Sequence, residues 1–323
     1  MLRNTLVGLT LTLTLGLLAA TQALATSLVV GDQSYNTRTV MEAAGVLNDL
    51  PYQLEWKQFT AGSPVAEALN VGSLDLGLLG DAPPLFLGAL GAPIKVVGIS
   101  RQSLDGVAVL VRGDSSIHHL ADLRGKTVAI WKGSWSQQLA LAALDRAGVP
   151  RDQVTFRYLN ALDASHALEG GSVDAIATWE PYVTQAQRHG ARVLTTAEGL
   201  IPAQSFVVAS QGALDDPAKH QAIADFLQRL QQARSWANAD PEHTRRYAAA
   251  WAERTRADAA IAQAWFARAR TRIGPVTPAG IAEAQRTVDF FAGEGLVKGY
   301  DASRLFYDGF NASLAPPAQT AQR

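Results

Sequence analysis

The chain has 323 residues, 28 lysines and arginines against 29 aspartates and glutamates, and no cysteine. A net charge of -1 gives no basic face for nucleic acid or an anionic membrane, and the absence of cysteine excludes disulfides, thiolate chemistry and a lipoprotein's acylated cysteine. The length exceeds what one compact core usually holds, so two lobes are expected.

In chain order, Met1 to Ala25 comes first and reads as a cleavable leader. Arg3 supplies a positive start, Leu6 to Ala20 is an apolar run diluted only by Thr and Gly, and Ala23-Leu24-Ala25 has the small-x-small form that places cleavage after Ala25. As an uncleaved anchor the run would be at the short end for a ~30 Å hydrocarbon core, and it lacks a positive stop-transfer flank. Losing Arg3 takes the balance from -1 to -2.

Beyond the leader, β-like runs alternate with helical patterns, the order of α/β architecture with largely parallel sheets. Strands are predicted at Ser27 to Val30, Tyr52 to Phe59, Leu74 to Leu79 and Ile94 to Ile99. Helices are predicted at Met41 to Leu50, closed by Pro51, at Val65 to Leu69, and after Asp81, where Pro83 and Pro84 suit a first helical turn. Val107 to Val111 and Ser205 to Ala209 are apolar runs flanking a segment that forms an α/β unit by itself, and they are the predicted crossovers. Inside it, Thr127 to Trp131, Val154 to Leu159 and Val173 to Thr178 read as strands, and Gln137 to Ala147 as a helix ended by Gly148 and Pro150. The expected domains are therefore a discontinuous lobe 1 (26–108 plus 207–314), an inserted lobe 2 (109–206) and a frayed tail (315–323). The helical end of lobe 1 is marked by Ile223, Phe226, Leu227, Leu230, Ala233 and Ala237 at one-face spacing.

Three segments share a design in which a strand runs through small or polar residues into a helix: Gly31-Asp32-Gln33-Ser34, Gly80-Asp81-Ala82-Pro83 and Gly133-Ser134-Trp135-Ser136. The free N–H groups and positive dipole end of such a helix hold an oxyanion, and all three together would place a ligand between the lobes. The bland alternative for each is an ordinary N-cap. Arg101, at the carboxyl end of a strand where ligands of open α/β sheets sit, is expected either to grip the anion bidentately or to pair with a surface carboxylate.

Two stretches carry a resemblance. Ala66-Glu67-Ala68-Leu69-Asn70-Val71-Gly72-Ser73-Leu74-Asp75-Leu76-Gly77 with Gly80-Asp81-Ala82-Pro83-Pro84-Leu85-Phe86, and then Ala121 to Ala129, Lys132-Gly133-Ser134 and Gly171 to Tyr182, resemble the aliphatic sulfonate, taurine and nitrate binding proteins of ABC importers. The resemblance implies a type II-like periplasmic binding protein fold, with two parallel-rich sheets, flanking helices and a hinge crossed twice. It also implies a periplasmic monomer that captures a small anion, with an aliphatic or aryl sulfonate foremost, and passes it to an inner-membrane permease. Neither cofactor nor catalysis is expected. Carried onto matching positions, it points to the Gln33 loop with Ser34, Gly80 and Asp81, Ser134, and Trp179 as cleft residues, and the helix-start segment of Ser134 adds Trp135 and Ser136 as candidates.

Each has a rationale: Gln33 donates to an oxygen, backbone at Gly80 approaches closely, the Ser134 helix end holds sulfonate oxygens, and Trp179 is a flat apolar wall. Asp81 repels a sulfonate, so it is expected to cap its helix or meet a ligand amine. The first loop lacks the lysine common in sulfonate binders, and Trp135 interrupts their serine-rich stretch, which implies room for a larger or aromatic tail. Trp56, Trp131, Trp236, Trp251 and Trp265 read as packing residues. An enzyme on the same scaffold is the runner-up; no HExxH, Gly-x-Ser-x-Gly or phosphate-loop pattern supports it.

Overall fold

The computed structural model describes residues 26–315, so the expected leader and all but the first residue of the expected tail lie outside the described residues. The chain runs β1 (Ser27–Gln33), α1 (Asn36–Ala43), β2 (Gln53–Phe59), α2 (Gly62–Asn70), β3 (Leu76–Gly80), α3 (Ala82–Ala89), β4 (Ile94–Arg101), β5 (Val107–Val111), β6 (Thr127–Ile130), α4 (Trp135–Ala147), β7 (Thr155–Tyr158), α5 (Ala161–Glu169), β8 (Ala175–Trp179), α6 (Tyr182–Arg188) and β9 (Arg192–Thr196). It returns through β10 (Ser205–Ser210), α7 (Gln211–Asp215), α8 (Pro217–Ala239), α9 (Pro241–Thr255), α10 (Ala259–Ala269), β11 (Arg272–Gly274) and α11 (Pro278–Gly293).

Two sheets result, one of order β11-β4-β10-β3-β1-β2 and one of order β7-β6-β8-β5-β9. Each is covered on both faces, which the central strands make possible by being apolar at nearly every position. In β10, Val207 and Ala209 enter one core while Phe206 and Val208 enter the other. In β5, Val107, Val109 and Val111 face one layer and Ala108 and Leu110 the opposite one.

The sheets are mixed: β1 pairs parallel with β2 and β3, and β6 with β7 and β8, but β10 and β5 run antiparallel to both of their neighbours. The reason is connectivity. A chain leaving the carboxyl end of β4 enters the other sheet at its cleft edge, so the first strand after each crossing, β5 or β10, must run away from the cleft. The expected boundaries at 108/109 and 206/207 therefore fall inside strands, because β5 belongs wholly to the second sheet and β10 wholly to the first. The chain crosses at 102–106 and 197–204.

Helix α1 begins and ends earlier than the apolar pattern predicts, since its start is set by Asp32 and Gly45 (φ 70°) turns the chain after it. Gly31, expected to open a loop, sits inside β1 beside Gly77 of β3. A β-carbon at either position would meet Val65 of α2, at 3.1 and 2.6 Å respectively, and at Gly31 also Leu74 at 2.6 Å. The two glycines let α2 settle onto the sheet with its amino end at the strand tips.

Candidate ligand-binding site

The carboxyl ends of β1, β2, β3, β6 and β8 and the amino end of β10 converge on one cleft of about 830 Å³ between the lobes. That is in the upper part of the roughly 300–1,000 Å³ range of small-molecule sites.

The three predicted anion-binding helix ends prove unequal. At α1, the chain's own Asp32 carboxylate fills the place: Oδ1 accepts from the Thr37 N–H at 2.9 Å, and Oδ2 from the Arg38 N–H at 3.1 Å and Gln58 Nε2 at 3.3 Å. Burial pushes Asp32 above the usual aspartate range, against the pull of those hydrogen bonds. At α3, Pro83 and Pro84 remove two of the first donors. At α4, Ser134 is the N-cap and accepts from the Ser136 N–H at 3.2 Å while donating to the Trp131 carbonyl at 2.7 Å. Gln137 Oε1 takes the Gly133 N–H at 2.7 Å. A fourth end, that of α2, is not among the three the motifs point to; its N-cap is Ala61, no side chain caps it, and Gly62 and Ser63 line the cleft.

Of the residues singled out from sequence, Gln33, Ser34, Gly80, Ser134, Trp135 and Trp179 line the cleft. Gln33 already gives one amide hydrogen to the Leu78 carbonyl at 2.8 Å. Ser34 and Tyr35 adopt left-handed backbone (φ 49° and 59°), and the Ser34 carbonyl accepts from Trp251 Nε1 at 2.7 Å.

Three expected contacts are corrected. Arg101 pairs with Glu283 of α11 at 2.6 Å and is absent from the cleft wall; β4 lies between β10 and β11, and its last side chain meets α11 instead. Ser136 is buried, donating to the Ala177 carbonyl at 2.5 Å and accepting from the Trp131 N–H at 3.0 Å, so it ties α4 to its own sheet. Asp81 neither caps α3 with its side chain nor borders the cleft. It is fully buried behind Gly80, where Oδ1 accepts from Trp135 Nε1 of the other lobe at 2.7 Å. Burial pushes its carboxyl up to about 7, with hydrogen bonds from Trp135 and Thr287 pulling the other way.

The cleft's positive charge comes from residues that no sequence motif marks, Arg234 of α8 and Arg254 of α9. Arg234 is 5% exposed; its Nη2 donates to Asn36 Oδ1 at 2.5 Å and its Nη1 to the Tyr247 hydroxyl at 3.3 Å, and its Nε has no partner among the described residues. Burial, partly offset by that guanidinium, pushes the Tyr247 phenol up to about 12. Arg254 pairs with Glu42 at 2.6 Å and stands 5.8 Å over the Tyr35 ring. A signal existed: Arg234 continues the apolar stripe of α8 at four residues past Leu230, and an arginine on a buried helix face needs an explanation.

Aromatic pairs form the remaining walls. Trp131 and Trp179 of the second lobe have ring centroids 6.1 Å apart, and Trp251 and Trp265 of the first lobe 5.3 Å. Trp131, Trp251 and Trp265, expected to be packing residues, all border the cleft. Glu180, the carboxyl beside Trp179, is bound by the Thr184 N–H at 3.0 Å, the Thr184 hydroxyl at 2.8 Å and Arg268 at 2.9 Å, so its lone pairs are engaged by the protein. The arrangement suits a guest with an anionic head and an apolar body.

The profile of the NMT1/THI5-like family matches residues 53–244. The chain belongs to the NMT1/THI5-like family. The matched span contains both stretches that carried the resemblance. This NMT1/THI5-like chain is 41% identical over 160 residues to an Escherichia coli K12 protein provisionally named an aliphatic sulfonates-binding protein, covering 49% of this chain and 50% of that one. It thus spans about half the length of the curated relatives it matches. Among solved structures it is similar to the periplasmic aliphatic sulphonate binding protein of Escherichia coli, with 32% identity, a TM-score of 0.79 and coverage of 87% and 92% of the two chains. It is also similar to the alkanesulfonate-binding protein of Xanthomonas axonopodis pv. citri bound to MOPS, with 28% identity, a TM-score of 0.79 and coverage of 87% and 98%. Two mixed sheets with flanking helices, joined by a hinge crossed twice, are the periplasmic binding protein fold, as the resemblance implied.

Proposed function

We propose that this NMT1/THI5-like protein is the solute-binding component of an ABC importer, and that its cleft captures a small organic anion, a sulfonate with an aliphatic or aryl body. The observation that carries the reading is the cleft itself, with two arginines on one lobe and paired indoles on the other. Arg234 and Arg254 receive the anionic head with the open start of α2 at Gly62 and Ser63; Gln33, Ser34, Gly80 and the backbone at Ser134 border it; Trp135 and Trp179 cover the tail. The protein turns nothing over, works as a monomer in the periplasm, and presents both lobes to an inner-membrane permease. Relatives named for sulfonate binding support the ligand class.

The test is a thermal-shift screen of the protein without residues 1–25 against taurine, alkanesulfonates, aromatic sulfonates, nitrate, sulfate and bicarbonate, in buffers free of sulfonates. A true ligand at ~100 times its Kd stabilises the folded state by about 2.7 kcal/mol, an easily read rise in Tm. Stabilisation by nitrate or bicarbonate alone would move the ligand class, and no response to any sulfonate would overturn the proposal.

A further inference from the structure

Asp81 and Trp135 come from opposite lobes and meet beside the cleft, where Trp135 Nε1 is the close side-chain donor to the Asp81 carboxyl. The geometry points to Asp81 as a positioning residue that acts through Trp135, latching the indole of the second lobe in place as a wall of the ligand cleft when the lobes close. This rests on the reading of the cleft as the ligand site.

Four side chains build the latch. Trp135 Nε1 donates to Asp81 Oδ1 at 2.7 Å, Thr287 of α11 reaches Asp81 Oδ2 at 3.4 Å, and Gln138, one turn beyond Trp135 on α4, reaches Thr287 Oγ1 at 3.4 Å. Gln138 Oε1 is buried with no partner among the described residues. The indole lies over Gly80, where a β-carbon would stand 3.5 Å from its ring in ordinary van der Waals contact, so the ring packs on the strand end next to Asp81.

Both contacts through Thr287 are long, which leaves Asp81 with one close side-chain donor, the Trp135 indole. With Asp81 neutral, its Oδ2–H donates to Thr287 Oγ1, a hydroxyl oxygen that accepts from Asp81 and from Gln138 Nε2 together. Oδ1 still accepts from Trp135. The faces around Asp81 offer no charge to hold it ionised: α4 presents Trp135 and Gln138, α11 presents Thr287, and the Gln204 carbonyl before β10 accepts the Asp81 N–H. Glu283, one turn earlier on α11, is engaged by Arg101.

Closure therefore takes up a proton. In the closed form burial holds the Asp81 carboxyl up to about 7; parting the lobes removes Trp135 and admits water, which returns it toward the ordinary aspartate value. Between those two values the closed form binds one proton more than the open form, so affinity for a closing ligand rises as pH falls through 7, by up to about tenfold per unit, and is flat above.

The experiment measures the affinity of hexane-1-sulfonate and naphthalene-2-sulfonate by calorimetry from pH 5 to 8.5, for the wild type, Asp81→Asn and Trp135→Phe. Asparagine mimics the neutral acid, with one acceptor for Trp135 and one donor for Thr287, so its profile is expected to be flat where the wild-type profile slopes. Trp135→Phe keeps a ring in the wall but drops the N–H, and is expected to weaken binding several-fold. A flat wild-type profile, a wild-type slope in Asp81→Asn, or wild-type affinity in Trp135→Phe would each overturn the inference. If neither probe binds at any pH, the ligand class has failed, and small-angle scattering of the ligand-free protein still decides the latch. Because closure takes up a proton, the ligand-free wild type should grow more compact as pH falls from 8.5 to 5 while Asp81→Asn keeps one profile; a wild-type profile that does not move with pH would sink it.

Discussion

The two lobes furnish their sides of the cleft by different means. The second lobe builds its wall locally: Trp131 follows β6, Trp135 opens α4 and Trp179 ends β8, each at the junction of one strand and one helix. The first lobe builds its charged side from distant sequence, with Asp32 and Ser34 at the end of β1 facing Arg234 and Arg254, about two hundred residues further along on α8 and α9. Apolar cover can sit on any strand tip, whereas a buried guanidinium needs an assembled cage of acceptors, here Asn36, Tyr247 and, for Arg254, Glu42 and Thr39.

Substitutions can break that contrast, and their expected effects are graded. Arg234→Ala is expected to be the largest, costing about 3 kcal/mol of folding free energy in urea denaturation, because it empties a buried site and strips the compensating charge from Asp32. A loss no larger than that of a surface arginine would show that the cage is slack. Trp179→Ala should cost roughly 2 kcal/mol of affinity, about thirtyfold, for a sulfonate with a long or aryl body, and much less for methanesulfonate; equal losses for both, by calorimetry, would remove Trp179 from the tail site. Ser136→Ala should lower stability by about 1 kcal/mol through the lost bond to Ala177 while leaving affinity unchanged, since its hydroxyl is turned into the second lobe. Arg101→Ala should do least: its pair with Glu283 is half-exposed, so both Tm and affinity should stay within experimental scatter. An affinity loss there would return Arg101 to the cleft.

Much of the site's second-lobe half is legible in the residue pattern. Trp179 and Ser134 stand at predicted strand ends, and an open α/β sheet places such ends at the ligand. Ser134 and Ser136 show the limit of that reasoning: two residues apart on one motif, one borders the cleft and the other is a buried strut, because side chains at the start of a helix point to different sides. Asp81 reads locally as a helix cap or an amine contact, since its own segment holds no trace of the indole that comes to meet it.

Whatever depends on neighbours within a few residues is written in the amino-acid order: the alternation of strands and helices, the insertion of one α/β unit within another, and the apolar faces that oblige each sheet to be covered on both sides. Only the packed molecule settles which helix ends stay open, which carboxylate fills another, that the two crossing strands run against their sheets, and that guanidinium groups from α8 and α9 reach the end of β1. Periodicity records how a side chain faces its own element. Which element lies opposite follows from packing between segments far apart in the chain, and local pattern holds no record of that.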